Sequence, residues 1–514
     1  MNNRKEIARK SAVISLIDQI STYVLAFLTR KLLIGSLGVD YLGLNSTLAQ
    51  ILGTLSVTEL GIQSVIIYKL YKPVVEDDRE TICELMSLIR FFYQIVSCII
   101  AVGGVVLIPF LKFLIKDISV PWNQIYLAWI MLAATSALSY ILNYNSTIIF
   151  ADQKQYIFQK VHLVLNVFIT IISLVILYNF HNYFVFLLFN MVNTLSGNLV
   201  LLIIRKKLYP WIKYVKVRTG DKMFKELITG TMDVFAGRIS GYVFNSTDNI
   251  VISAIISTNV VGFFGNYTTI SIAVAHLLSA ICSPIVAIVG NMLVNSKSGS
   301  LNIFIRKYLY IIYFVGSILI IPMALMIDDF VILFYGNECV IDKFVVILLV
   351  VDLFLTMIQI PTGVILDADG QFKVEKKFYI ISAIMNIVLS VIGALVMGIS
   401  GVVLATVIGR LYLWICRTYY CYKYVVKDTK KRLKDNIEYS LILTIVFFCS
   451  WILLGELFTF LSKVSIMVFI LKGMISFFSI ILIQTIIFRK TVEYKYFFKL
   501  IGNSRFFRKK NSEQ

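Results

Sequence analysis

What most constrains this chain is a succession of apolar runs, each of roughly twenty residues or more, repeated from one end to the other. A helix rises about 1.5 Å per residue, so such a run matches the hydrocarbon thickness of a bilayer. No water reaches that layer, and each run must satisfy its own backbone as a helix. A membrane β-barrel would show short alternating segments instead, and none occurs. Composition agrees: 59% of the residues are hydrophobic and mean hydropathy is +0.84, against roughly 45–50% apolar usage in soluble domains. The expected fold is all-α and polytopic, with about 14 transmembrane helices, at 11–33, 41–68, 86–115, 124–150, 157–180, 183–204, 224–256, 260–294, 303–327, 340–366, 374–398, 400–424, 438–461 and 465–488. The connections are too short to fold as separate soluble domains.

A formal charge of +19 could point to nucleic acid, but the basic residues cluster beside the spans. Cytoplasmic loops collect Lys and Arg, so the charge predicts orientation and contact with anionic membrane lipids rather than a nucleic-acid partner. The basic segments are the N-terminal tail, 205–225, 417–434 and the tail from Arg489. An even number of spans separates each from the next, which puts all of them, and both termini, on the cytoplasmic side. The basic start resembles a signal peptide, yet its apolar run carries Asp18 and Gln19 and ends in Arg30 and Lys31, so it reads as a retained first span. Seven cysteines and the histidines His162, His181 and His276 show no disulfide, zinc or catalytic spacing.

The same parity suggests a duplication. "LGVDYLGLNSTLAQI" (37–51) matches "ISTNVVGFFGNYTTI" (256–270), pairing Gly43 with Gly262 at an offset of 219; "ADQKQY" (151–156) matches "ADGQF" (368–372) at 217. A repeat with an even number of spans inserts the same way up both times, which relates its halves about the membrane normal, as in transporters with a central site. The expected organisation is 1–210 for spans 1–6, 211–425 for spans 7–12, and 426–514 for two further spans and a basic tail.

At this point a family resemblance emerges. "TRKLLIGSLGVDYLGLNSTLAQILGTLSVTELGIQSVIIYKLYKP" (29–73), with Arg30, Leu37-Gly38, Tyr41, Gly43 and Gly61, resembles the first two spans of bacterial oligosaccharide (polysaccharide-repeat) flippases. "STDNIVISAIISTNVVGFFGNYTTI" (246–270), with Asp248-Asn249, Gly262 and Asn266-Tyr267, is similar to their seventh and eighth. The resemblance implies the multidrug/oligosaccharidyl-lipid/polysaccharide exporter fold, two six-helix lobes related by a pseudo-two-fold around a cavity, plus two extra helices. It implies a polyprenyl-pyrophosphate-linked oligosaccharide as substrate, and a polysaccharide polymerase and glycosyltransferases as partners in the bacterial cytoplasmic membrane.

Span 7 carries Asp233, Arg238 and Asp248 inside an apolar run. Arg238 lies about 20 Å along a helix from Lys225, close to mid-membrane. At 100° per residue Asp233, Gly237, Arg238, Gly241, Asn245 and Asp248 share one arc. A charge there costs about 3 kcal/mol on insertion scales, so it needs a watery cavity or a partner. The guanidinium fork suits a pyrophosphate, which makes Arg238, Arg410, Arg30 and Arg90 the candidate anion ligands and Asn145, Asn193 and Asn245 candidate sugar partners. The alternative for each arginine is an ion pair with an acid on a neighbouring helix.

Transport needs an energy source, and no Walker A pattern occurs. By resemblance to lipid II flippases, Asp233, Asn386 and Thr406 would give oxygens to Na+, with Ser390 where that pattern has a second carboxylate. A proton carried by Asp233 or Asp248 is the alternative, and no other cofactor or metal is implied. The rival functions are a cation-coupled multidrug exporter, against which the mid-membrane arginines argue, and a membrane polymerase or ligase. The enzyme reading lacks the long outer loop such enzymes use, since 328–342 is short and apolar.

Overall fold

Short polar residues mark where several of the spans begin. Asp78 caps one helix by accepting from Thr81 N (3.1 Å), Asn182 another from Phe184 N (2.9 Å), and Ser465 a third from Val468 N (3.3 Å). Each satisfies a backbone donor that the first turn leaves free. The computed structural model describes residues 2–56, 62–215, 241–242, 244, 246–282, 298–426, 430–461 and 463–503, all helix or short connection with no strand among them. Twelve helices among the described residues are long and apolar enough to cross a membrane. They match the expected spans apart from 41–68 and 224–256, which run through 57–61 and 224–240, outside the described residues, as does the part of 260–294 beyond 282.

In chain order the helices are α1 (Asn2–Leu37), α2 (Val39–Ser56), α3 (Ile62–Glu76), α4 (Arg79–Leu107), α5 (Leu111–Leu114), α6 (Trp122–Asn143), α7 (Ser146–Ala151), α8 (Gln155–Phe180), α9 (Tyr183–Leu208) and α10 (Asp248–Val251). They continue with α11 (Thr258–Cys282), α12 (Ser298–Tyr335), α13 (Lys343–Ala368), α14 (Phe372–Met397), α15 (Ile399–Tyr420), α16 (Lys430–Thr459), α17 (Ile466–Phe488) and α18 (Val492–Asn503).

Helix starts and turns recur at the offsets read from the sequence. α2 starts at Val39 and α11 at Thr258, 219 apart. α8 and α14 both begin and end 217 apart. The left-handed turns recur too: Asp117 (φ 47°) and Gly336 (φ 100°) at 219, then Gln153 (φ 56°) with Gly370 (φ 72°) and His181 (φ 48°) with Gly398 (φ 62°) at 217. The second copy uses glycine at each, and the first accepts a side chain where that conformation costs about 1 kcal/mol.

By packing, the chain divides into two compact units, Met1–Gly265 and Asn266–Gln514, a different division from the repeat halves 1–210 and 211–425 expected from the sequence. In the first unit α4 packs on α6, α8 on α9 and α1 on α8. Trp129 Nε1 donates to Gly104 O (2.7 Å) and Ser97 Oγ to Ala137 O (2.8 Å), tying α6 to α4. Gly43 and Gly262, partners in the repeat, sit against each other: a Cβ on Gly262 would lie 3.2 Å from Gly43 N. In the second unit α14 and α15 make the most extensive contact, and α12 and α13 are largely buried. α18 lies on α12 through Phe314 against Phe497, 4.8 Å between ring centroids.

The α14–α15 crossing is closest at Gly393 and Gly401, where a Cβ on Gly401 would lie 2.1 Å from Gly393 O. Without a solvent-driven hydrophobic term between membrane helices, such backbone contact is a main source of adhesion. Gly401→Val is expected to cost about 3 kcal/mol, the upper range of overpacking penalties, seen as a lowered thermal midpoint of the purified protein in detergent. An unchanged midpoint would mean that the two helices separate freely.

Candidate functional site

The break between α6 and α7 in the first unit begins the site. At that break Tyr144 is buried and Asn145 fully so, with Asn145 Nδ2 donating to Leu142 O (2.6 Å). This leaves its carbonyl oxygen to accept from Arg205 Nε at 3.0 Å. Arg205 stands in the last turn of α9 with only 6% of its surface exposed. Its guanidinium lies 5.5 Å from the ring centre of Tyr214, and that of Arg90, from α4, lies 4.5 Å from the same ring. The Tyr214 hydroxyl donates to that of Tyr144 (3.2 Å). Burial pushes the Tyr214 pKa up, its bond to Tyr144 adds to this, and the two guanidiniums partly offset it. The phenol is therefore a neutral donor at physiological pH.

A strap of residues 209–215 holds Tyr214 there. Val215 N donates to Ser87 Oγ (2.9 Å), Lys213 N to Cys83 Sγ (3.4 Å), and Arg79 covers the Trp211 ring at 5.1 Å. Beside it Asp152 accepts from Tyr209 Oη (2.5 Å) and Lys154 Nζ (2.7 Å), so that carboxylate is already neutralised.

The remaining candidates are arranged differently. Arg410 is paired with Asp352, and its carbonyl accepts from Gln359 Nε2 at 2.9 Å. Arg30 donates through Nη2 to Gly262 O (3.2 Å). Asn193 donates to Asn166 Oδ1 (2.8 Å), joining α9 to α8. Asn386 and Thr406 do meet, with Nδ2 donating to Oγ1 at 2.9 Å, while Thr406 Oγ1 faces Val402 O (3.4 Å). The Ser390 hydroxyl is buried with no hydrogen-bond partner among the described residues. Asp248 opens α10. Asp233, Arg238 and Asn245 lie outside the described residues. Among the described residues no group of three or more His, Cys, Asp or Glu is placed to hold a metal.

Of the sequence candidates, then, Arg90 and Asn145 come into one cluster, and Arg410 and Arg30 stand elsewhere. Arg205, Tyr214 and Tyr144 complete the cluster without having been singled out as ligands. Arg205 and Tyr214 sit in the basic stretch 205–225, where a span-flanking arginine and a loop tyrosine look like orientation signals. Only the contact across α4, α7 and α9 gives them another role.

Long apolar helices, tight glycine crossings and buried charged groups define a multi-pass helical membrane protein. The model of the polysaccharide biosynthesis protein family matches residues 7–289, and the chain belongs to that family. No curated protein matches it in sequence. Among solved structures it is similar to the lipid II flippase MurJ in an inward closed conformation, at a TM-score of 0.68 and 15% identity over 94% of this chain and 99% of that one. It is similar to an inward-facing multidrug resistance MATE family transporter of the MOP superfamily (TM-score 0.65, 14% identity, 82% and 99% covered). It is also similar to the Vibrio cholerae MATE transporter VcmN in a bent form (TM-score 0.53, 13% identity, 85% and 100% covered). These likenesses establish the fold of that transporter superfamily.

In the second unit Arg417 and Glu375, both more than nine-tenths buried, pair at 2.7 Å, with Tyr379 Oη on the same guanidinium nitrogen at 2.8 Å. Removing one partner of a buried pair typically costs about 3–5 kcal/mol, because the other charge is left stranded. Glu375→Gln should therefore lower the thermal midpoint in detergent strongly, and the Glu375→Gln/Arg417→Gln double variant should recover most of the loss. Additive losses would mean that the two residues act independently.

Proposed function

We propose that this protein is a flippase that carries polyprenyl-pyrophosphate-linked oligosaccharide units from the cytoplasmic to the outer leaflet of a bacterial cytoplasmic membrane by alternating access, for export of a cell-surface polysaccharide. The observation that carries this reading is the Arg90–Tyr214–Arg205 cluster, which lies inside the family-matched residues and has no paired carboxylate among the described residues. A site of that charge favours an anionic head group over the cationic substrates of a drug exporter. The lipid-linked reading also agrees with what the names of its family and of one similar structure say of those proteins.

In this reading Arg238 meets the pyrophosphate at mid-membrane, and Arg410 and Arg30 shape the path through the pairs they make. Both termini lie on the cytoplasmic side, where the basic segments attract anionic lipids. A polymerase and glycosyltransferases would consume and supply the lipid-linked unit. The protein itself performs no covalent chemistry.

Coupling belongs, in this reading, to the second repeat, 211–425. Asn386, Thr406, Ser390 and the Val402 carbonyl offer neutral oxygens, and the unpartnered Ser390 hydroxyl suits a hard cation that prefers oxygen. Sodium is the coupling cation in that arrangement. A proton on Asp233 or Asp248 is the other source of drive. The multidrug reading retains support from the MATE-like fold, although Asp352, a carboxylate that a cation exporter would use, is taken up by Arg410.

Purified protein in liposomes is expected to move a polyprenyl-pyrophosphate oligosaccharide and not a cationic dye, and to respond to a sodium or proton gradient. Arg238→Ala should abolish that movement while membrane insertion stays normal. Dye movement alone would establish the drug-exporter reading, and normal transport by the variant would remove Arg238 from the path.

A further inference from the structure

We propose that Arg90 and Arg205, with the Tyr214 and Tyr144 hydroxyls and Asn145, form a phosphate-binding site that loads the pyrophosphate of the transported lipid. Its assignment to the transported lipid rests on the flippase reading, whereas the site itself rests on charge and geometry.

The first argument is electrostatic. Arg306, Arg410, Arg417 and Lys472 each face a carboxylate, respectively Glu493, Asp352, Glu375 and Asp329. Arg90 and Arg205 make no such pair among the described residues; their recorded partners are one aromatic ring and one neutral amide. Two cations on one ring repel each other, and Arg205 is almost wholly buried. Burial without a countercharge is costly unless an anion comes and goes.

Position and donors then select the ligand. Arg205 is one turn from the end of α9, at the basic stretch 205–225, and Arg90 is about 16 Å along α4 from Arg79. A head group arriving from the basic side would meet this site before mid-membrane. The guanidiniums flank one ring, so they are no farther apart than the two ring distances together, within reach of the two ends of one pyrophosphate. Planar forks give paired hydrogen bonds to phosphate oxygens, and the Tyr144 hydroxyl, which accepts from Tyr214, keeps its own proton as a neutral donor.

The test uses the full-length protein in detergent with farnesyl pyrophosphate, a soluble polyprenyl pyrophosphate, as the probe. Arg90→Gln and, separately, Arg205→Gln are expected to raise its Kd at least tenfold, and Lys72→Gln, an exposed cation on α3, to leave it unchanged. Arg90→Lys keeps the charge without the fork and should recover part of the affinity. Thermal midpoints show that each variant is folded. If Arg205→Gln unfolds, Arg90 alone decides, because it is only half-buried. Wild-type affinity in folded Arg90→Gln overturns the proposal. Equal competition by phosphatidylglycerol keeps a phosphate site and overturns its assignment to the transported lipid. Loss of pyrophosphate binding in Arg90→Gln, in a wild-type protein that moves no lipid-linked oligosaccharide in liposomes, supports the site and removes the flippase reading instead.

Discussion

An uncompensated charge away from water sets the terms for everything else in this molecule. Apolar spans form helices whatever their partners, but each Arg, Lys, Asp or Glu within them must find a countercharge, a hydrogen-bonding surface or a ligand. Most find countercharges on another helix, as Arg417 does with Glu375 and Lys472 with Asp329. These pairs fix which helices are neighbours, because a pair broken by a wrong neighbour would leave two stranded charges. Among the described residues of the first unit the exception is Arg90 with Arg205 around Tyr214, whose partners are a ring and a neutral amide. It is where the usual rule is left open.

The two copies of the repeat show how such a difference arises on a shared frame. Turns at Gln153 and Gly370, and at His181 and Gly398, recur at one offset, so the backbone path is common to both copies. On that frame the second copy carries neutral oxygens at Asn386 and Thr406 and a closed ion pair at Arg417. The first carries open guanidiniums. One duplicated backbone frame thus carries two chemically different sets of polar groups.

Much of this was legible in the sequence, and the reason is local. A span needs only its own apolar length, so the expected helices match those observed, and a repeat leaves its mark in Gly43 with Gly262 and Asp152 with Asp369. Arg90 and Asn145 could be picked out because each is polar within an apolar run. Arg205 could not, since an arginine at the end of a span is what orientation alone requires. Arg410 could be narrowed to two alternatives, ligand or ion pair, and only its contact with Asp352 chose between them. Gln153, Asp117 and His181 in left-handed backbone were equally hidden, because the frame imposes that conformation on residues that do not favour it.

The sequence by itself determined that the chain is a polytopic helical membrane protein, where its spans lie, and that it is built on a duplication. Those properties follow from run length, backbone satisfaction and periodic matches along the chain, none of which needs a partner. Tertiary structure decided which charges are cancelled and which stay open. Coulomb and hydrogen-bond energies depend on distances between helices far apart in sequence, and no local pattern records whether an acid such as Glu375 or a ring such as Tyr214 stands beside a given arginine until the helices have packed.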